Sequence, residues 1–196
     1  MNLQSARAIS RAVVALYEQK GGANYSGEKV TQLEHASQTA QLAIQDEQTE
    51  EVIIAAFLHD IGHLLDDAPE AETMDEFGIK DHEAMGADYL LQHGFSTPLA
   101  DLVRSHVEAK RYLCAVNKRY YEQLSHASKM TLQHQGGPMN AAEVAAFETK
   151  PLKNLIIKMR TWDEEAKHEQ IPLIDLTILK EMMTHHLLQN KNSHAV

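Results

Sequence analysis

Positive charge is scarce in this sequence: 18 lysines and arginines face 28 aspartates and glutamates, a net −10 with histidine neutral. Proteins that grip nucleic-acid backbones do so by neutralising phosphates with Lys and Arg. No basic run occurs here, which argues against that class of partner. Long apolar stretches are missing too. The longest, Val52 to Leu58, falls far short of the roughly 20 residues that a membrane-crossing helix needs. The first twenty residues, MNLQSARAISRAVVALYEQK, lack an apolar core followed by a small-residue cleavage site, so a soluble, cytoplasmic protein is expected. Cysteine appears once, as Cys114, which permits no internal disulfide and suits a reducing compartment; its expected role is a small core hydrophobe. Aromatics are so few that the 12 histidines outnumber the 4 Phe, 1 Trp and 6 Tyr together. Imidazole is the commonest metal ligand, so the placement of those histidines becomes the first question.

What is present is helical periodicity. With 196 residues, 43% of them hydrophobic, the chain suits one domain spanning 1–196. An amphipathic segment from about Ser5 stops at Gly21-Gly22, and a second runs from Lys29 to Ile44. Thr49-Glu50-Glu51 makes a capping start for a third, which continues to Leu65 and is apolar all round as far as Leu58; it should be the central helix. Residues 66–79 are acidic, contain Pro69 and Gly78, and read as a surface loop. Helical patterns resume over Lys80–Gln92 and Pro98–His106, then in short segments to Gln135 before the break at Gly136-Gly137-Pro138. The last three cover Ala141–Phe147, Leu152–Glu165 and Leu176–Leu188, ahead of a polar tail, 189–196, expected to fray. No alternating β pattern longer than a few residues appears, and an all-α bundle follows.

The chemistry is concentrated at His59-Asp60. An aspartate in a wholly apolar helix must be compensated, and no Lys or Arg lies within that helix. A metal ion supplies the charge and draws carboxylate and imidazole into one coordination shell. His35 lies 24 residues upstream of His59, among Thr31, Gln32 and Thr39. His82 and His106 are also 24 apart, and Asp163 falls within a helical pattern. Each alone is readable as a solvated residue.

Together they follow the order His…His-Asp…His…His…Asp, which resembles the dinuclear members of the HD-domain superfamily. Further motifs narrow the likeness: Tyr25-Ser-Gly-Glu28 with Gln32-Leu33-Glu34-His35, His106-Val-Glu-Ala-Lys110-Arg-Tyr, Leu124-Ser-His-Ala-Ser128 with Thr131, Gln135-Gly-Gly-Pro-Met139, and Lys158-Met-Arg160-Thr-Trp162-Asp163. With these, residues 23–188 look like the 2-amino-1-hydroxyethylphosphonate dioxygenase (glycine-forming) group of HD-domain mixed-valent diiron oxygenases.

The resemblance implies a single HD-domain helical bundle with a dinuclear metal site in its core, holding two iron ions as Fe(II)/Fe(III). His35, His59, Asp60 and Asp163 would hold one ion, and Asp60 would bridge to a second held by His82 and His106. The implied partners are a small organophosphonate and O2, with no nucleic acid and no membrane; the oligomeric state stays open, a monomer being compatible. The implied reaction splits the carbon–phosphorus bond of the substrate to glycine and phosphate. His63, Lys110, Ser128, Thr131 and Arg160 would surround the phosphonate, Glu28 would take the ammonium, and Tyr25 would guard an iron position until substrate arrives.

Taken singly, these residues have plainer readings. Lys110 and Arg160 also read as solvated charges, His63 as a complement to a helix-end dipole, Ser128 and Thr131 as capping hydroxyls, and Tyr25 and Glu28 as a packing ring and a helix-start carboxylate. Two other functions share the ligand order: the same chemistry on an N-methylated hydroxyphosphonate, and metal-dependent phosphate-ester hydrolysis. A non-catalytic interaction protein would not need all six ligands. His93, His126, His134, His168, His185, His186 and His194 are expected at the surface or behind the site, while Met159 and Trp162 should pack in the core.

Overall fold

The computed structural model describes residues 1–25, 27–65, 74 and 79–190. Most of the expected acidic loop, Ser26, His194 and the rest of 191–196 lie outside those residues.

The described residues form ten helices: α1 (Leu3–Lys20), α2 (Gln32–Gln45), α3 (Glu50–Leu58), α4 (His82–Gln92), α5 (Thr97–Val116), α6 (Lys118–Gln123), α7 (His126–His134), α8 (Ala141–Glu148), α9 (Lys153–Glu165) and α10 (Leu176–Asn190). β structure among the described residues is limited to single bridge residues, Asn24 paired with Thr31, and Ile79. None of these helices is long and apolar enough to cross a membrane. The starts are set by side chains. Asn2 accepts the Ser5 N–H at 2.8 Å. Thr31 and Glu34 form a reciprocal capping box at α2, which moves that helix's start three residues past the expected Lys29. Thr49 occupies the N-cap of α3 without a side-chain bond, and Glu50 and Glu51 complement the helix dipole there.

Every residue from Val52 to Leu58 is buried, as the all-round apolarity demands, and α3 packs against α2, α5, α9 and α10. The expected continuation to Leu65 does not occur. α3 ends at Leu58, His59-Asp60 form a turn, and Ile61–Leu64 is a short 3-10 segment. Ending a helix leaves its last carbonyls without intrahelical donors. Two of them find partners here: His59 Nδ1 donates to the Ala56 carbonyl at 2.8 Å, and the Tyr17 hydroxyl donates to that of Phe57 at 3.0 Å. The break frees Asp60 from the helical ladder. At Gly62 the 3-10 segment meets the start of α4, where a Cβ would lie 2.0 Å from the His82 carbonyl oxygen.

α5 runs well past the expected end at His106 and carries Lys110 one turn further along the same helix. At the other end of the chain, Gln189 and Asn190 belong to α10, and the Asn190 side chain donates to the Gly94 carbonyl at 3.0 Å, so fraying does not begin at 189. His186, expected near the surface, is buried; its Nε2 accepts the Ser96 N–H at 3.2 Å. Cys114, Met159 and Trp162 are buried as expected.

Candidate metal centre

Four elements converge on Asp60. α2 brings His35, the end of α3 brings His59, the first position of α4 brings His82, and α5 brings His106; α9 adds Asp163 from the far end of the chain. All six are buried.

Hydrogen bonding fixes the tautomers. His59, His82 and His106 each point Nδ1 at the backbone carbonyl three residues upstream, at 2.8 Å to Ala56, 2.9 Å to Ile79 and 2.7 Å to Val103. His35 Nδ1 reaches the Ala166 carbonyl at 2.9 Å. A carbonyl only accepts, so each Nδ1 carries the proton and each neutral ring presents a bare Nε2. Those bare nitrogens face one another, His35 to His59 at 3.1 Å and His82 to His106 at 3.1 Å. Two lone pairs held that close repel unless a proton or a metal ion lies between or beside them.

Asp60 stands between the pairs. Its Oδ2 lies 3.2 Å from His59 Nε2 and 3.6 Å from His35 Nε2, while its Oδ1 lies 3.2 Å from His82 Nε2 and 3.3 Å from His106 Nε2. One oxygen thus serves each pair. Asp163 turns Oδ1 to within 3.5 Å of His35 Nε2, and that oxygen is buried with no hydrogen-bond partner. Its other oxygen accepts from Arg160. Buried carboxylate oxygens are rarely left unpaired, and this one is aimed at the imidazole pair.

Electrostatics agree. Burial pushes against charge on His59, but Asp60 and Asp163 outweigh it and lift the imidazole to about 9. Burial would also raise the Asp60 and Asp163 carboxyls; the imidazoles around Asp60, and Arg160 beside Asp163, hold both well below the usual carboxylate range. The cluster therefore demands positive charge. His35, His59, Asp163 and one oxygen of Asp60 would hold one ion, and His82, His106 and the other oxygen a second. Four imidazoles with two carboxylates suit a pair of transition ions such as iron. His63 is also within ligand range of Asp60 and His82. Its Nδ1, however, accepts the Ile79 N–H at 3.2 Å, so its Nε2 carries a proton and serves as a donor. Burial, with His82 stacked 3.9 Å away, keeps the ring neutral.

A cleft with about 480 Å³ of empty volume opens onto Asp60, His82, His106 and Asp163. Its wall is built from the residues singled out in the sequence: Tyr25, Glu28, His63 and Lys110 line it, as do Ser128, Thr131 and Arg160. Tyr25 stacks on His35 with ring centroids 3.9 Å apart. Burial, then Asp60 and Asp163, push its phenol well above 10. Lys110 and Arg160 are buried, not solvated. Lys110 donates to Thr131 Oγ1 at 2.9 Å, and burial together with Arg160 lowers its ammonium to about 7. Arg160 spends three of its donors on Tyr120, Asp163 and Glu164. Two of its five N–H groups remain. Sequence reasoning missed Tyr120, which fixes Arg160, and Lys167, whose Nζ reaches Glu28, Ser128 and Glu164.

Comparison with known proteins agrees with this geometry. The HD-domain family model matches residues 32–175. A [1-hydroxy-2-(trimethylamino)ethyl]phosphonate dioxygenase (glycine-betaine-forming) of Leisingera caerulea is 43% identical over 167 residues, covering 85% of this chain and 84% of the relative. A hydroxymethylphosphonate dioxygenase of Gimesia maris is 42% identical over 168 residues, 84% of this chain and 82% of the relative. An uncharacterised protein of Acanthamoeba polyphaga mimivirus is 38% identical over 181 residues, 92% of this chain and 83% of the relative.

Proposed function

Because the chain belongs to the HD-domain family, and its relatives there include phosphonate dioxygenases, we propose that it is an HD-domain phosphonate dioxygenase that cleaves a carbon–phosphorus bond with O2. The finer reading is that it converts 2-amino-1-hydroxyethylphosphonate to glycine and phosphate over an Fe(II)/Fe(III) pair. One observation carries it. The cleft that opens onto Asp60, Asp163 and the His82–His106 pair also holds cations and donors suited to a phosphonate, and a carboxylate suited to an ammonium.

The iron pair, when bound, would activate dioxygen and offer a Lewis-acid seat for the substrate oxygens; the four electrons that reduce O2 come from the substrate, whose hydroxyl-bearing carbon becomes the carboxylate of glycine as its bond to phosphorus breaks. The chain's own residues do the rest. His35, His59, Asp60, His82, His106 and Asp163 would hold the ions, with Asp60 shared. Lys110 and the Nε2–H of His63 bind phosphonate oxygens, joined by the donors that Arg160 has left. Thr131 holds Lys110 in position, and Ser128 supplies a second hydroxyl on the same helix. Glu28 accepts the ammonium and so orients the hydroxyl-bearing carbon toward the metal centre. Tyr25, lying over His35, covers the centre until substrate displaces it and keeps water and oxygen from unproductive chemistry.

Iron-loaded protein supplied with 2-amino-1-hydroxyethylphosphonate should release phosphate and glycine in air and neither under nitrogen. Turnover without oxygen, or nucleotide hydrolysis supported by manganese or magnesium in place of oxidation, would overturn the reading.

A further inference from the structure

Behind Glu28 and Ser128 of the cleft wall stands a cation that this reaction scheme leaves unused. Lys167 follows α9 directly, and its Nζ donates to Glu164 Oε1 at 2.9 Å and to Ser128 Oγ at 3.2 Å. It also stands 3.2 Å from Glu28 Oε1, an ion pair without hydrogen-bond alignment, since that oxygen has no hydrogen-bond partner. Both side chains are largely shielded, at 14% exposure for Lys167 and 16% for Glu28. The other oxygen of Glu164 accepts from Arg160, which also donates to Asp163. Negative and positive groups therefore alternate from Glu28 through Lys167, Glu164 and Arg160 to the metal-facing Asp163. Glu28 is already neutralised.

α7 sharpens the contrast. It presents two hydroxyls one turn apart, and each is taken by a lysine: Thr131 by Lys110 and Ser128 by Lys167. Lys110 has no carboxylate partner among the described residues and is available to an anion. Lys167 has two. Nor is its side chain needed to fasten the backbone there, because Gln38 grips the next residue from both sides, donating to the His168 carbonyl at 2.9 Å and accepting the His168 N–H at 3.0 Å.

We propose that Lys167 sets the amine preference of this cleft. It is an internal ammonium on Glu28: a substrate with its own ammonium must displace it, whereas a 1-hydroxyphosphonate with no amine finds Glu28 already satisfied. The inference rests on the phosphonate reading and deepens it. Glu28 is the least well aligned of the three Lys167 partners, so it is the one an incoming ammonium takes over. Removing Lys167 leaves a shielded carboxylate unpaired, which costs most when the ligand brings no cation of its own. The same bare carboxylate then repels the phosphonate of an amine-free ligand.

The test compares wild type with K167M and K167R on 2-amino-1-hydroxyethylphosphonate and hydroxymethylphosphonate. Dissociation constants come from anaerobic calorimetry and kcat/KM from phosphate release in air. In K167M the preference for the amino substrate should rise about tenfold or more, the effect of one partly shielded charge, while K167R keeps the wild-type ratio within about threefold. If K167M does not fold, K167Q reads the same ratio. A ratio that does not move, or equal weakening of both ligands, overturns the role of Lys167 and leaves the phosphonate reading standing. Wild type that binds both ligands but turns over neither overturns the chemistry, and Lys167 is then judged on the dissociation constants. Wild type that binds neither overturns both.

Discussion

At the scale of single residues, the centre rests on a carboxylate with two addresses. Asp60 gives one oxygen to His35 and His59 and the other to His82 and His106. An amide at this position offers one oxygen, its NH2 group having no lone pair to give a metal. D60N should therefore fall from two irons per chain to one or fewer by metal analysis; retention of two with near-normal activity would show that Asp60 does not bridge. Lys110 makes a second prediction. Burial and Arg160 lower its ammonium to about 7, against the pull of Asp163, Glu164 and Asp60, so above pH 7 the free protein increasingly presents a neutral amine to the phosphonate. KM should rise with pH beyond 7, and calorimetry near pH 8 in buffers of different ionisation enthalpy should show proton uptake on binding. K110M should raise KM roughly thirtyfold, the loss of about 2 kcal/mol from one charge-assisted bond, and flatten that pH dependence. Of the six clustered side chains, His59 and Asp60 were legible in the sequence because an aspartate in an apolar helix needs a cation; the other four entered through the resemblance to the HD-domain order, since each alone reads as a solvated residue. The tautomers were not legible, since they depend on where backbone carbonyls fall. Lys167 was not legible either: beside His168 and Glu169 it reads as a solvated lysine, and its partner Glu28 lies near the other end of the chain.

At the scale of elements, the decisive event is the end of α3 at Leu58. Periodicity placed this helix and its burial correctly but carried it to Leu65, because Ile61, Leu64 and Leu65 keep the run apolar. What ends it is competition for carbonyls by His59 and Tyr17, which no hydrophobic pattern records. The 3-10 segment beyond packs so closely on α4 that G62A would drive a methyl group into the His82 backbone. Such overpacking costs about 1–3 kcal/mol or more. G62A should lower the melting temperature and, by moving His82 relative to Asp60, lower iron content as well; a variant with both at wild-type values would refute the close approach. The start of α2 is a gentler case. T31A removes half of a capping box, at about 1 kcal/mol, and should leave metal content intact.

For the molecule as a whole, metal and fold are linked. Without ions, the buried carboxylates depend on protons carried by neighbouring imidazoles. His59 is lifted to about 9 in the fold, above its ordinary 6.5, so its stabilising proton is fully present below 6.5 and is lost as pH rises through 9. Metal competes with that proton for the same nitrogen. The gain in melting temperature on iron loading should accordingly grow between pH 6.5 and 9, and differential scanning calorimetry of chelated and reloaded protein checks it. A gain that stays constant across that window would mean the cluster is not the seat of the ions.

Three of the four imidazoles take their orientation from a carbonyl three residues upstream, but His35 takes its own from Ala166, 131 residues away. As the chain emerges from the ribosome, the Asp60, His82 and His106 half is complete once α5 is out. The His35 half cannot close until α9 has been made and has docked against α2. The order of synthesis would therefore give two ions an order of entry, with the more locally built seat ready to fill first.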